Sequence, residues 1–209
     1  MLKLLVIIFA LLSVKISFAV GRTEHYEYLT PTEKLLLENG INESTLESRC
    51  PRTAEFAKKA RWDAPLKEKA DFILVDKKRR LIHIINQETV LASFRMALGT
   101  NPVGDKIAEG DARTPEGVYF IDLKNRKSEF HLSLGINYPN SKDIEEAKQK
   151  GINFPGKDIM IHGLPNGWLK RKVIKHPRDW TKGCMAVRDY EIEYIFTAVD
   201  LGTLIEICP

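Results

Sequence analysis

From Asp71 onward the chain breaks into short apolar runs, each closed by charged residues, glycine or proline. That punctuation limits the fold more than any other feature, because runs this short are too brief for stable helices. Phe72-Ile73-Leu74-Val75 and Leu81-Ile82-His83-Ile84-Ile85 flank Asp76-Lys77-Lys78-Arg79, which predicts a hairpin with a charged turn. Thr89 to Leu98 reads as a third strand. Gly117 to Asp122, Phe130 to Leu134, Lys157 to His162 and Gly202 to Ile207 follow. Two helices interrupt the series. One runs from Ser141 to Lys150 with Ser141 as cap. The other is capped by Asp189, and its Ile192, Ile195, Phe196 and Val199 recur at helical spacing. The expected class is mostly β (α+β), as a sandwich or closed sheet.

The first third of the chain reads differently. Lys3, the apolar stretch Leu4 to Leu12 and then Ser17-Phe18-Ala19 have the layout of a signal peptide over residues 1–19, cut after Ala19. An apolar run of about nine residues is too short to span a bilayer, and Lys15 follows it. No membrane attachment beyond the signal peptide is expected. Residues 20–66 form a short helical appendage. Thr30-Pro31-Thr32-Glu33 has the form of a helix start, Leu35, Leu36 and Leu37 give its apolar side, and Gly40 its stop. A second short helix spans Ala54 to Ala60, and Pro65 closes the segment. The formal net charge is +4, and removal of Lys3 and Lys15 with no acid lowers it to +2. Near-balance of charge in an exported chain argues against a nucleic-acid partner.

Chemistry concentrates at two places. Cys184 lies in Asp179-Trp180-Thr181-Lys182-Gly183-Cys184, and His162 in Ile161-His162-Gly163. A thiol after a flexible glycine, with an imidazole available, is the minimum set for covalent acyl transfer. The alternatives are a buried structural thiol and a histidine satisfied in the core. His176 competes as base but sits before Pro177 in a basic loop. His83 and His131 read as strand residues, and His25 falls in the appendage. The basic cluster Lys170-Arg171-Lys172 with Lys175 and Arg178 is either a solvated loop or a mouth for a carboxylate-rich substrate. The loop from Gly99 to Gly117 lacks phosphate-loop spacing, and no metal-ligand motif occurs. Three cysteines is an odd count for an exported protein. With Cys184 reactive, Cys50 and Cys208 are free to pair in an oxidising compartment or to remain two structural thiols.

Ile159-Met160-Ile161-His162-Gly163, Thr181-Lys182-Gly183-Cys184-Met185 and Arg113-Thr114-Pro115-Glu116-Gly117-Val118-Tyr119, with the hairpin from Phe72 to Ile85, resemble the YkuD-type L,D-transpeptidase catalytic domain. The resemblance covers residues 68–208. It implies a YkuD-like β-sandwich, with Cys184 as nucleophile, His162 as base and the Gly163 carbonyl orienting the imidazole. The N–H groups around Gly183 and Cys184 would form an oxyanion hole. It also implies a periplasmic enzyme acting on peptidoglycan stem peptides without a cofactor or metal. The thiolate would attack at meso-diaminopimelate and release D-alanine. The acyl group would then pass to an amine, as a 3–3 cross-link or a protein attachment. Trp180, Thr181, Lys182 and Arg188 would meet the substrate. Lys182 replaces the family's usual His, Ala186 replaces its usual Arg or Asn, and Arg188 would stand in for that missing donor. The Asp-Trp-Thr-x-Gly-Cys form also resembles a branch with amidases that release a wall-linked lipoprotein. Hydrolysis is therefore the alternative outcome, and a non-catalytic wall-binding module the alternative of another class.

Overall fold

The computed structural model describes residues 47–62, 65–66, 68–167 and 179–209. The signal-peptide segment 1–19, the helix expected after Thr30, His25, His176 and the basic cluster from Lys170 to Arg178 lie outside the described residues. A 3-10 turn, Cys50–Arg52, leads into α1 (Thr53–Lys58). The strands are β1 (Phe72–Asp76), β2 (Leu81–Asn86), β3 (Thr89–Arg95), β4 (Gly117–Ser128), β5 (His131–Ile136), β6 (Met160–His162), β7 (Met185–Ala186) and β8 (Leu204–Cys208). Helix α2 (Ser141–Gln149) lies between β5 and β6, and α3 (Asp189–Ala198) between β7 and β8.

The strands join in the order β3-β2-β1-β8-β4-β5-β6-β7. The β1–β8 and β6–β7 pairs are parallel and the others antiparallel. Beyond Arg95 the chain has run past its β2 partner Leu81. It crosses to the other end of the sheet instead. Ala97 exchanges both backbone bonds with Ala186, each 2.8 Å, and Gly99 bridges Thr181. These bridges end the expected Thr89–Leu98 strand early and close the sheet on itself.

One core cluster draws on both halves of this bent sheet: Ile73, Val75, Ile82, Ile84, Tyr119, Ile121, Leu134, Ile161, Met185, Ile205 and Ile207, with Ile192, Ile195, Phe196 and Val199 of α3. This is the sandwich expected from the strand pattern. The alternate residues Phe72, Leu74, Ile85 and Cys208 face outward under Phe56 of α1. Burial on both faces explains why β1 is a continuous apolar run rather than an alternation. It also makes α1 part of the same unit as the strands, although the sequence grouped it with the appendage. A disulfide joins Cys50 to Cys208. Next to it, the Glu206 carboxylate accepts from Ser48 Oγ at 2.5 Å and from Arg49 N–H at 2.8 Å.

Local details depart from the periodicity. The cap of α2 is Asn140 rather than Ser141, because its side chain accepts from Lys142 N–H at 2.9 Å and Asp143 N–H at 3.1 Å. The carboxylate of Asp143 returns the bond to Asn140 N–H, completing a capping box. The cap position of α3 is Arg188, whose N–H is held by Glu191 at 2.7 Å. Strand β6 is shorter than Lys157–His162 because Asp158 takes a left-handed φ of 59°. None of the described helices is long and apolar enough to cross a membrane.

Candidate active site

Alternation along two short strands places the thiol and the imidazole together. Ile161 and Met185 pair in register and are both fully buried in the core. Their neighbours Met160, His162, Cys184 and Ala186 therefore turn to the opposite side. With His162 opposite Ala186 in parallel register, Cys184 sits one diagonal away from His162 on the same face.

His162 is buried against aromatic rings, with Phe130 at 4.4 Å and Trp180 edge-on at 5.7 Å between centroids. Its Nδ1 lies 2.7 Å from the Gly163 carbonyl oxygen. A carbonyl can only accept, so Nδ1 carries the proton and Nε2 keeps its lone pair. Burial pushes the imidazole pKa below its usual value, and the Gly163 bond partly opposes this. Cys184 is half-buried, and its Sγ approaches the Asp158 carbonyl at 3.5 Å. Burial raises the thiol pKa, opposed by a bond from the Met160 N–H and by the Lys106 cation, while Asp158 raises it further. Both partners thus rest neutral. The arrangement suits proton transfer to Nε2 during attack rather than a preformed thiolate–imidazolium pair.

The turn that presents Cys184 is braced from three sides. Asp179 accepts from Arg80 Nη2 at 2.8 Å, from Arg80 Nε at 3.1 Å and from Leu98 N–H at 2.9 Å. Buried Thr181 donates its hydroxyl to the Cys184 carbonyl at 2.7 Å and accepts from Gly183 N–H at 3.1 Å. Gly183 has a φ of 133°, and a Cβ there would lie 2.6 Å from the Arg113 carbonyl oxygen. Only glycine fits where the 99–117 loop presses on the turn. That loop is itself anchored by buried Lys77, whose ammonium reaches the carbonyls of Gly104 (2.8 Å) and Thr114 (2.9 Å) and the Glu116 carboxylate (2.7 Å).

These contacts sort the residues singled out from the sequence. Gly163 accepts from the imidazole. The Gly183 N–H is spent on Thr181, so it is not open to an oxyanion. The Cys184 N–H, which has no backbone partner among the described residues, is the donor left at this corner. Trp180 flanks the imidazole. Lys182 is exposed, and the cation acting on the thiol is Lys106, held by Asp111 at 2.7 Å. Arg188 is exposed, with Nη1 3.2 Å from Tyr190 Oη. Phe130, Lys106 and Asp189 take no site role from the sequence, where Phe130 reads as a strand residue and Asp189 as a helix cap, because no local motif marks them for the site. Beside the thiol, Asp158 and Met160 line a groove of about 350 Å3 with Asp122, Lys157 and Tyr138. The one convergent trio of metal-type donors among the described residues, Cys50, Glu206 and Cys208, includes both disulfide sulfurs.

A stretch of 79 residues is 29% identical to YafK of Escherichia coli strain K12, whose name assigns it to the L,D-transpeptidases. The match covers 37% of this chain and 30% of that protein, so the chain spans under a third of the length of the curated relatives it matches. Among solved structures, the helical cell shape determining protein Pgp2 from Campylobacter jejuni is 20% identical, with a TM-score of 0.48, over 77% of this chain and 56% of that one. An L,D-transpeptidase from Xylanimonas cellulosilytica is 12% identical, with a TM-score of 0.43, over 85% and 70%. The model of the L,D-transpeptidase catalytic domain family matches residues 70–207, from before β1 into β8, a span that carries Cys184 and His162. The chain belongs to the YkuD L,D-transpeptidase catalytic domain family.

Proposed function

We propose that this protein is an exported, periplasmic cysteine acyltransferase acting on peptidoglycan stem peptides, the substrate class of its family. The observation that carries the reading is His162, its Nδ1–H fixed on Gly163, in a strand pairing whose register puts Cys184 one diagonal away. The stem peptide enters beside Asp158 and Met160. Cys184 Sγ attacks the carbonyl of meso-diaminopimelate while its proton moves to His162 Nε2. Negative charge builds on the carbonyl oxygen and meets the Cys184 N–H. The C–N bond to D-alanine breaks, and the imidazolium returns the proton to the departing amine. A thioacyl-enzyme remains. An amine then takes the acyl group, and the thiol is regenerated with its proton. The groove beside the thiol has both carboxylates and an ammonium, suited to an amino-acid side chain that bears both charges.

Purified muropeptides incubated with the protein, with products read by mass, test this. Cross-linked dimers, or a stem joined to an added amine, are expected. Stems shortened by D-alanine with no cross-link, or release of a linked lipoprotein, would make the protein a hydrolase. No product, together with no carbapenem adduct on Cys184, would leave a wall-binding module. Cys184→Ala should abolish both readouts.

A further inference from the structure

His162 and Asp189 bond to the two ends of one peptide group. The carbonyl that accepts His162 Nδ1–H belongs to Gly163, at 2.7 Å. The N–H of that same peptide unit is Leu164's, and it donates to Asp189 Oδ1 at 2.9 Å. We propose that Asp189 is the positioning residue behind His162, acting through the Gly163–Leu164 peptide as the third member of a Cys184–His162–Asp189 relay. This rests on the reading of Cys184 and His162 as nucleophile and base.

A carboxylate accepting at the N–H end draws electron density toward the carbonyl end. The carbonyl becomes a stronger acceptor for Nδ1–H, because hydrogen bonds in a chain polarise one another. The effect grows when His162 takes the Cys184 proton, since the positive ring then pulls on the same carbonyl. Among the described residues no side-chain carboxylate is bonded to the imidazole, which lies against the rings of Phe130 and Trp180. Among the described residues, the other ionisable groups around this corner include the Cys184 thiol, with Lys106 and Asp158 acting on it, and Arg188 and Glu191 beside Asp189. The Glu191 carboxylate is taken up by Arg188 N–H at 2.7 Å and Tyr190 Oη at 3.2 Å. Burial and the Gly163 bond alone account for the histidine's shift.

The packing holds this chain in place. A Cβ on Gly163 would lie 2.9 Å from the Phe130 carbonyl oxygen, 3.0 Å from Asp189 Oδ1 and 3.0 Å from Ile192 Cγ2. The carboxylate therefore sits directly on the glycine, and only glycine leaves room for it. The Gly163 N–H is bonded in turn to Phe130 O at 3.0 Å and Leu132 O at 3.2 Å. Asp189 opens α3, which Ile192 and Ile195 fix in the core. The Val187 N–H bonds His162 O at 2.9 Å just before that helix begins. The end of the histidine strand and the start of the helix after the nucleophile are thus tied at two points.

Asp189→Asn and Asp189→Ala separate charge from support. Carbapenem acylation of Cys184 should slow about 10–100-fold in Asp189→Ala, as for other partners that orient a histidine through its second nitrogen. Asp189→Asn keeps an acceptor oxygen without the charge, and should slow less. The base must be neutral to act, so the acid limb of acylation against pH marks the His162 pKa. Removing Asp189 weakens the hold on imidazolium, so the limb should move to lower pH, further in Ala than in Asn. Damaged packing would slow the reaction without moving the limb. Either variant folded, with an unmoved limb, overturns the relay whatever its rate. If Asp189→Ala does not fold, Asp189→Asn decides. A wild-type protein that forms no Cys184 adduct would instead sink the proposed function. Titration of the His162 ring by nitrogen NMR needs no substrate and would still test the relay, an unshifted ring pKa in Asp189→Asn overturning it.

Discussion

Reducing the bridge between Cys50 and Cys208 should cost this fold several kcal/mol without dismantling it. The two cysteines are 158 residues apart in sequence, so the bond closes most of the chain into one loop. The chain-entropy relation for a loop of that length gives about 17 cal/mol/K, or about 5 kcal/mol at 25 °C, as the constraint on the unfolded state. Native bridges of this kind deliver about 2–5 kcal/mol. The folded state retains other anchors at the same place: Phe56 is fully buried, and Glu206 holds Ser48 and Arg49. The effect therefore falls on the unfolded ensemble. The assay is urea unfolding of oxidised and dithiothreitol-reduced protein in a Cys184→Ser background, which prevents thiol exchange. With a slope of about 2 kcal/mol per molar urea, the midpoint should fall by about 1–2.5 M on reduction. Alkylation mass should confirm two new thiols in the reduced sample. A midpoint moved by less than about 0.3 M, under 1 kcal/mol on the same slope, would refute the entropic account.

Three further outcomes follow from the geometry. Thr181→Val removes the hydroxyl that ties Gly183 to Cys184 and should cost about 1–3 kcal/mol of stability and slow Cys184 acylation, while Thr181→Ser retains both; an unaffected acylation rate in the valine variant would refute the brace. Lys77→Met leaves Glu116 and two carbonyls without their buried cation and should destabilise by about 3 kcal/mol in urea; an unchanged midpoint counts against the loop anchor. His83 is fully buried beside Ser93, and burial lowers its pKa to about 4. Because the folded state holds it neutral, its contribution is complete above the unfolded pKa of 6.5 and is lost as pH falls toward 4. The loss amounts to about 3 kcal/mol, and His83→Leu should flatten that part of the stability curve; an unchanged slope would show that the histidine does not stay neutral.

The sequence carried the fold class because each strand encodes which face it buries. Ile73 and Val75 go inward, Phe72 and Leu74 go under α1, and the run is apolar because both faces are covered. Helix α3 was legible for the same reason, with Ile192, Ile195 and Phe196 on one stripe. Its cap was not. Asp189 has the composition of a cap, yet its Oδ1 accepts from Leu164 N–H, and a residue type does not reveal which of two acceptable partners it meets. Strand β7 is two residues long and shows no period at all. It exists because Met185 and Ala186 pair with Ile161 and His162 of β6, a distant part of the chain, and Ala97 bridges Ala186 from the other side.

His162 and Cys184 stood out because glycine-flanked thiols and strand-end histidines are chemical features of single residues. Their mutual placement was decided by register, Ile161 against Met185. The same holds for the Gly183 N–H, which Thr181 occupies, and for Lys106, which supplies the cation near the thiol from the 99–117 loop. Local periodicity and composition determine which side of an element is buried and which residues can do chemistry. Who faces whom across tens of residues is settled only when the sheet closes, because pairing energy depends on neighbours that no local stretch of chain contains.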